Sequence, residues 1–373
     1  MLDSAMDRRA SLPVGNSLDH RHHHHPDPPQ ETTRLWGKMT KYVGGRHRSP
    51  RNPPSALDKW HDWAADQCIE DASVAAIPQK YGSICEVGKD SMHTIILFSH
   101  KYQYCPPLDH YYALKLSRRP SGQQQAEYRK RVAAEFAVAS ALHHRHIVQT
   151  FELLPLSHDD ANLFCLCMEY CAGGDLHSLI AASHNHQLSE DQADCLFKQL
   201  LRGISYLHET GIAHRDLTPD HLLLTHRGCL KIAHFGNAAS FRRCGSDDKN
   251  SDNIHLSTGR CSGYSPPYIS PEQYTGEHFD PRHVDVWAAG IIYVEMRTGR
   301  NLWYQAIERD ASFREYVDER RDGKASSALE ALCNDRSRDL LYTMLSISPA
   351  DRPAAAEVLS SEWLEGVVCC VPN

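Results

Sequence analysis

The stretch from residue 214 to residue 236 constrains the fold of this chain more than any other. It begins with His214-Arg215-Asp216 and ends with His234-Phe235-Gly236. Between them lie two short apolar runs separated by a Thr-His-Arg-Gly turn, a pattern that predicts a β-hairpin. The two tripeptides therefore flank one hairpin.

This pattern resembles the catalytic loop and the metal-binding loop of eukaryotic protein kinases, where H-R-D-L-x-x-x-x-N and a hairpin precede D-F-G. His214, Arg215 and Asp216 match. The resemblance implies that Asp216 is the catalytic base, which accepts the proton of a substrate hydroxyl. His221 stands in place of the family's asparagine, and His234 in place of its aspartate. Both positions that the family uses to hold metal are therefore histidines.

The two histidines change the chemistry that the site supports. Phosphoryl transfer depends on positioning and on neutralising phosphate charge, which magnesium does in the family. Magnesium takes oxygen ligands, whereas imidazole nitrogen suits zinc, copper or nickel. A unit-charge pair near a protein surface is worth roughly 4 kcal/mol at about 4 Å. Losing most of it slows transfer about a hundredfold to a thousandfold. Magnesium is therefore doubtful as a cofactor.

The resemblance extends upstream to an ATP site. Gly88 follows a predicted strand at the position of the family's glycine-rich loop, but Asp90 and His93 replace the other two glycines. Lys115 lies in a later strand, and Glu135 follows about twenty residues on in a helical pattern, as in the family's lysine–glutamate pair. The resemblance implies ATP binding through Gly88, Lys115 and Glu135. The side chains that replace the glycines impede the approach of phosphates to the backbone, so weak ATP binding is expected.

A largely apolar strand over residues 162–170 leads into a segment with two glycines. This segment resembles the hinge between kinase lobes. The resemblance places Met168 at the gatekeeper position and implies that backbone near Glu169 and Cys171 binds adenine.

The second half of the chain is predicted to be mainly helical. Ser189 begins a helix with a capping box. Apolar residues expected to face the core follow at helical spacing: Ala193, Phe197, Leu200, Ile204 and Leu207. A further apolar helix ends near Gly299. In it the resemblance implies that Asp285 braces the catalytic-loop backbone, and it also pairs Arg352 with Glu272.

These features predict the α+β, two-lobed protein-kinase fold. The small lobe, residues 78–168, is rich in strands and has one major helix; the larger lobe, residues 173–365, is mostly helical. A His-, Pro- and Arg-rich tail of residues 1–77 is expected to be disordered. Residues 366–373 form a short C-terminal tail.

Composition excludes several other classes of function. The net charge is −7 and no lysine or arginine field is present, which argues against nucleic-acid binding. The 13 cysteines form no regular framework, which indicates free thiols in a reducing compartment. No apolar run approaches about 18 residues, and the N-terminus lacks a signal core. We therefore expect an intracellular, cytoplasmic protein without a membrane span.

Three functional hypotheses follow. The first is a Ser/Thr-class pseudokinase that binds ATP weakly or without magnesium and acts as a regulatory or scaffold protein in signalling. Its partners would be other proteins, either substrates or the kinases and transporters that it regulates. The alternative is an active Ser/Thr kinase with unusual metal use, which the retained Lys115, Glu135 and Asp216 favour. The third is a metal-responsive switch in which Asp216, His221 and His234 hold zinc or manganese.

The activation segment gives a further hint about the subfamily. His255-Leu256-Ser257 and the run from Ser265 to Glu272 resemble the fungal halotolerance and permease-regulating Ser/Thr kinases. Thr218 replaces the lysine that Ser/Thr kinases carry two residues after the catalytic aspartate. That change removes a cation from the transferring phosphate.

Overall fold

The computed structural model describes residues 83–89, 95–101, 110–155, 163–242, 256–259, 266–330 and 335–371. The predicted N-terminal tail, with a short helix expected over residues 60–75, lies outside the described residues, as do Asp90 and His93.

A five-stranded antiparallel sheet forms the first part of the structure. Its strands are β1 Ser83–Lys89, β2 Ile95–Lys101, β3 His110–Arg118, β4 Thr150–Pro155 and β5 Leu163–Glu169. They are arranged in the order β1-β2-β3-β5-β4. Leu114 and Leu116 of β3 are buried on either side of Lys115 in the chain. The sheet therefore places Lys115 in the middle of a central strand.

One long helix, α1 Gln125–Ala141, belongs to this part of the structure. The apolar residues at helical spacing over residues 127–142 indicate a core face made of Val132, Phe136 and Ala139. Val132 and Ala139 are buried, but Phe136 is only partly buried and Tyr128 is fully buried instead. The ring of Tyr128 packs against Phe164 of β5 at 5.7 Å, and its hydroxyl donates to the carbonyl of Ser117. These contacts with the sheet rotate the buried face.

The rest of the described structure is mainly helical. Its helices are α2 Leu176–Ala182, α3 Glu190–Glu209, α4 Pro281–Thr298, α5 Ala311–Arg321, α6 Ser327–Glu330, α7 Asp335–Met344, α8 Ala355–Leu359 and α9 Glu362–Glu365. Its short strands pair as β6 Ile212–Ala213 with β9 Ala239–Ser240, β7 Leu222–Leu224 with β8 Leu230–Ile232, and β10 Ser257–Thr258 with β11 His278–Phe279. The predicted α+β organisation is confirmed.

Helix α3 forms the centre of the larger core. Ser189 and Gln192 form the predicted capping box at its start. All five residues predicted to face the core are buried in one hydrophobic cluster: Ala193, Phe197, Leu200, Ile204 and Leu207. Fully burying a leucine or phenylalanine contributes roughly 2 kcal/mol, so this face anchors the chain that follows it.

Helix α4 packs beside α3 and is almost entirely buried. Asp280 caps its first turn by accepting from the N–H of Arg282, and Pro281 occupies the first helical position. Gly299 ends the helix with φ +65°, a left-handed conformation that glycine adopts without strain. Among the described residues, no helix combines the length and the apolar character that crossing a membrane requires.

The predicted pairing of Glu272 with Arg352 is confirmed. Two guanidinium nitrogens of Arg352 donate to the two carboxylate oxygens of Glu272, at 2.7 and 2.8 Å. The guanidinium also lies over Trp287, 4.7 Å from the ring centroid, and both charged residues are buried. This pair fastens the segment before α4 to the segment after α7.

Arg352→Met tests the contribution of this pair. The substitution keeps most of the side-chain volume but leaves the Glu272 carboxylate buried without its cation, which costs roughly 3–5 kcal/mol. We expect the melting temperature to fall by about 6 °C or more in differential scanning calorimetry.

Lys324→Met is the matched control, because the Lys324–Asp322 pair is exposed, with side-chain accessibilities of 68% and 53%. It should leave the melting temperature unchanged. Equal effects of the two substitutions would contradict a structural role for the buried pair.

Candidate functional site

Asp285 of α4 fixes the backbone of the loop that carries Asp216. Its fully buried carboxylate accepts from the N–H of His214 at 2.9 Å and from the N–H of Arg215 at 2.7 Å. Arg215 has φ +66°, a conformation that costs a non-glycine residue free energy unless its surroundings impose it. The bracing predicted for Asp285 is thus present and sets the direction of the loop.

Asp216 is nearly buried, at 9% exposure. Its Oδ2 accepts from Nδ2 of Asn237 at 2.9 Å. The N–H of Asp216 donates to Nδ1 of His214 at 3.3 Å, while Nε2 of His214 donates to the carbonyl of Ala233 at 2.9 Å. The expected catalytic base is therefore oriented from both sides. Sequence reasoning missed Asn237, whose only signal is its position directly after Phe235-Gly236.

His221 sits at the end of a 3₁₀ turn, Pro219–His221, and is buried. Its Nδ1 lies 2.7 Å from the carbonyl oxygen of Asp216. A carbonyl only accepts, so Nδ1 carries a proton and donates it to that oxygen. Nδ1 is 3.9 Å from the carboxylate Oδ2 of Asp216. His221 thus lies beside the expected catalytic base.

His234 lies directly over His221. Their rings are parallel, with centroids 4.2 Å apart and an interplanar angle of 0°. His234 has φ +70° and ψ +73°, a left-handed conformation that turns its ring towards the small lobe. Its Nδ1 accepts from the ammonium Nζ of Lys115 at 2.8 Å. Burial, and then the charge of Lys115, hold the pKa of His234 well below its usual range, so the ring is neutral.

Lys115 therefore has two partners. Besides His234, its Nζ lies 3.6 Å from Oε1 of Glu135 on α1, and both side chains are 12% exposed. The structure brings together the lysine and the glutamate that the sequence paired. The imidazole of His234 nevertheless makes the closer contact with the ammonium, at 2.8 Å.

The residues present do not fit a magnesium site. Asp216, His221 and His234 each offer one ligand atom, and these atoms lie within 4.8 Å of one another. Only one of the three donors is oxygen, whereas magnesium demands octahedral oxygen coordination. Thr218, which is 2% exposed, adds no positive charge for a phosphate.

The hinge segment provides an apolar surface beside these groups. Val148, Cys171 and Ala233 form a small buried cluster, with Met168 and Leu223 packed against it. Burial raises the pKa of the Cys171 thiol to about 12, so it stays protonated and apolar. Such a surface suits the face of a nucleobase.

Glu169 and Gly88 are also expected in the ATP site, and the structure gives each of them other partners. The carboxylate of Glu169 pairs with Lys231 at 2.8 Å, and its N–H donates to the carbonyl of Gln149 at 2.9 Å. Gly88 of β1 pairs with Ile96 of β2, which pairs in turn with Lys115 of β3. Gly88 is therefore two strands away from Lys115 in one row, roughly 10 Å across the sheet.

Comparisons with known proteins agree with this geometry. Residues 105–364 match the family model described as "Protein kinase domain". The chain is 42% identical to the serine/threonine-protein kinase HAL4/SAT4 of Saccharomyces cerevisiae over 296 residues, which cover 78% of this chain and 47% of that protein. It is 39% identical to the serine/threonine-protein kinase hal4 of Schizosaccharomyces pombe over 298 residues, 79% of this chain and 45% of that protein.

A third relative, the serine/threonine-protein kinase HAL5 of Candida glabrata, is 31% identical over 306 residues, 72% of this chain and 37% of that protein. The chain thus spans less than half the length of these curated relatives. The kinase fold and the Ser/Thr resemblance predicted from the sequence are confirmed.

Lys115→Met tests the contact between Lys115 and His234. Removing a neighbouring cation favours the imidazolium, so the pKa of His234 should rise. It should stay below its usual value, because burial is the larger cause of the shift. The measurement is an NMR pH titration of the histidine ring protons, assigned with His234→Asn.

Lys231→Met is the control, because the ammonium of Lys231 pairs with Glu169. It should leave the titration of His234 unchanged. A pKa that does not move in Lys115→Met would show that the two groups do not interact.

Proposed function

The chain belongs to the protein kinase family, and from this premise we propose that it is a pseudokinase of the Ser/Thr class. In this proposal it binds ATP weakly and acts as a regulatory protein without efficient magnesium-dependent phosphate transfer. One observation carries the proposal: both metal positions hold imidazole, and that of His234 engages the ammonium of Lys115 at 2.8 Å. The frame of a kinase cleft is retained, and its magnesium ligands are not.

The size of the expected defect follows from the charge that is missing. The family's aspartate would place a negative charge beside the ion, whereas the pKa of His234 is too low for the ring to carry charge near neutral pH. A unit-charge interaction at about 4 Å is worth roughly 4 kcal/mol at an effective dielectric constant of 20. Each 1.4 kcal/mol lost from the transition state slows the reaction about tenfold. This supports a large defect in transfer.

Nucleotide binding is supported by other groups. The family match implies ATP binding. We propose that Lys115, held by Glu135, takes the phosphates and that the backbone at Glu169 and Cys171 takes the adenine. The apolar cluster around Cys171 supports the second assignment. We also propose that Gly88 lies above the phosphates and that the kinase domain extends over residues 78–365.

An active Ser/Thr protein kinase is the second candidate. The names of the three relatives favour it, since all three are called serine/threonine-protein kinases. Retention of Lys115, Glu135 and Asp216 favours it too, as does the amide of Asn237 that orients Asp216. In this candidate the substrates are hydroxyl groups of proteins. In the first candidate proteins are bound as partners, including regulated kinases or transporters.

Asp216→Asn separates the two candidates. Purified full-length protein is incubated with radiolabelled ATP and a general basic protein substrate, with magnesium or with manganese. We expect wild type and Asp216→Asn to incorporate the same background level of phosphate. Asp216 would act only during phosphate transfer, and in this proposal the site does not carry out that transfer efficiently. ATP alone should raise the melting temperature of both proteins, since a ligand that binds only the folded state stabilises it.

Asp220→Asn is the matched control, because Asp220 is an exposed carboxylate on the turn that carries His221. One result would establish the active kinase and defeat the pseudokinase. In that result wild type and Asp220→Asn incorporate phosphate equally, and Asp216→Asn incorporates about a hundredfold less.

A further inference from the structure

We propose that Asp216, His221 and His234 form a binding site for a zinc ion, which takes the place of magnesium in this cleft. The inference rests on the proposed function, because it concerns what a kinase cleft binds once its magnesium ligands are gone. Two imidazoles and one carboxylate are a set of donors that zinc uses, with a fourth position left for water. The three ligand atoms already lie within 4.8 Å of one another.

His221 is prepared to act as a ligand. Its Nδ1 proton is donated to the carbonyl of Asp216 at 2.7 Å, which fixes the tautomer and the orientation of the ring. Histidines that bind metal ions commonly donate their second nitrogen in this way. Nε2 is consequently the nitrogen of His221 that is left to bind an ion.

His234 is prepared less completely. Its Nδ1 accepts from Lys115, so the neutral ring carries its proton on Nε2. The one lone pair of the ring, on Nδ1, is therefore occupied by the ammonium. Zinc must either take that lone pair directly or take Nε2 after the proton moves to Nδ1. Both routes break the hydrogen bond to Lys115. Zinc and Lys115 therefore compete for His234.

The competition links the ion to the nucleotide site. Lys115 displaced from His234 has Glu135 as its remaining partner, 3.6 Å away. A bound zinc ion therefore moves Lys115 towards the lysine–glutamate pairing that the family uses to hold phosphates. By reciprocity, ligands that draw Lys115 away from His234 favour the ion.

The geometry requires one adjustment. Tetrahedral zinc with ligand distances of about 2.0–2.1 Å holds its donor atoms roughly 3.3 Å apart. The parallel rings of His221 and His234, now 4.2 Å between centroids, must splay so that both lone pairs point at one ion. Rotation of the His234 side chain, which its release from Lys115 allows, supplies this movement.

Cobalt(II) is the probe, since it substitutes for zinc and its visible absorption reports tetrahedral coordination. The protein is the 373-residue chain with His22, His23, His24 and His25 changed to alanine, which removes a run of imidazoles of the kind that binds divalent ions. We expect one equivalent of cobalt to give a tetrahedral band that zinc abolishes and magnesium does not.

His221→Asn and His234→Asn should each weaken cobalt binding roughly a hundredfold, since amides are poor ligands for these ions. Both are expected to fold, because asparagine is the family's residue at position 221 and tolerates the left-handed backbone at position 234. His226→Asn, at an exposed turn residue, is the control and should bind as wild type does. Lys115→Met should tighten cobalt binding about tenfold, because the competitor is removed.

Absence of a tetrahedral band, or a band that both asparagine variants retain, would overturn the zinc site. If His221→Asn fails to fold, the comparison of His234→Asn with His226→Asn decides alone. These results are independent of the phosphate-transfer assay with magnesium. Loss of the band therefore defeats the zinc site and leaves the pseudokinase standing, whereas transfer that depends on Asp216 defeats the pseudokinase whatever cobalt does.

Discussion

The buried carboxylate of Asp285 is the interaction on which the site depends. It accepts the N–H groups of His214 and Arg215 and so holds the loop in a conformation that a non-glycine residue avoids on its own. The ends of the hairpin then follow, because His214 bonds both to the N–H of Asp216 and to the carbonyl of Ala233. Helix α4 thereby sets the distance between the expected base and the two histidines.

Within that frame the chemistry of the cleft has changed. Where the family has a negatively charged aspartate, this chain has the neutral imidazole of His234. The ammonium of Lys115 donates a hydrogen bond to that imidazole. Lys115 lies between His234 and Glu135, with its ammonium closer to the imidazole than to the carboxylate. Among these three residues magnesium has one suitable donor, an oxygen, whereas zinc can use that oxygen and two imidazole nitrogens. Retention of a fold does not settle activity; the side chains of the site do.

Sequence reasoning predicted most of the frame and part of the site. Periodicity predicted the buried face of α3, and Gly299 predicted the end of α4, because both depend on local chain geometry. Motif order predicted the pairs Lys115–Glu135 and Glu272–Arg352.

The contact of Lys115 with His234 was not predicted, because it joins side chains 119 residues apart through a left-handed backbone. The role of Asn237 was missed because its amide reaches Asp216 only once the hairpin between them is folded, and that of Tyr128 because sheet contacts rotate α1.

The two metal positions of this site lack the oxygen atoms that bind magnesium in the family. The most direct test measures the dissociation constant of ATP with and without magnesium, in wild type and in a variant carrying His221→Asn and His234→Asp. Magnesium should leave the affinity of wild type for ATP unchanged and should tighten binding to the variant about tenfold, because that variant regains an amide and a carboxylate oxygen. Equal tightening in both proteins would contradict the account.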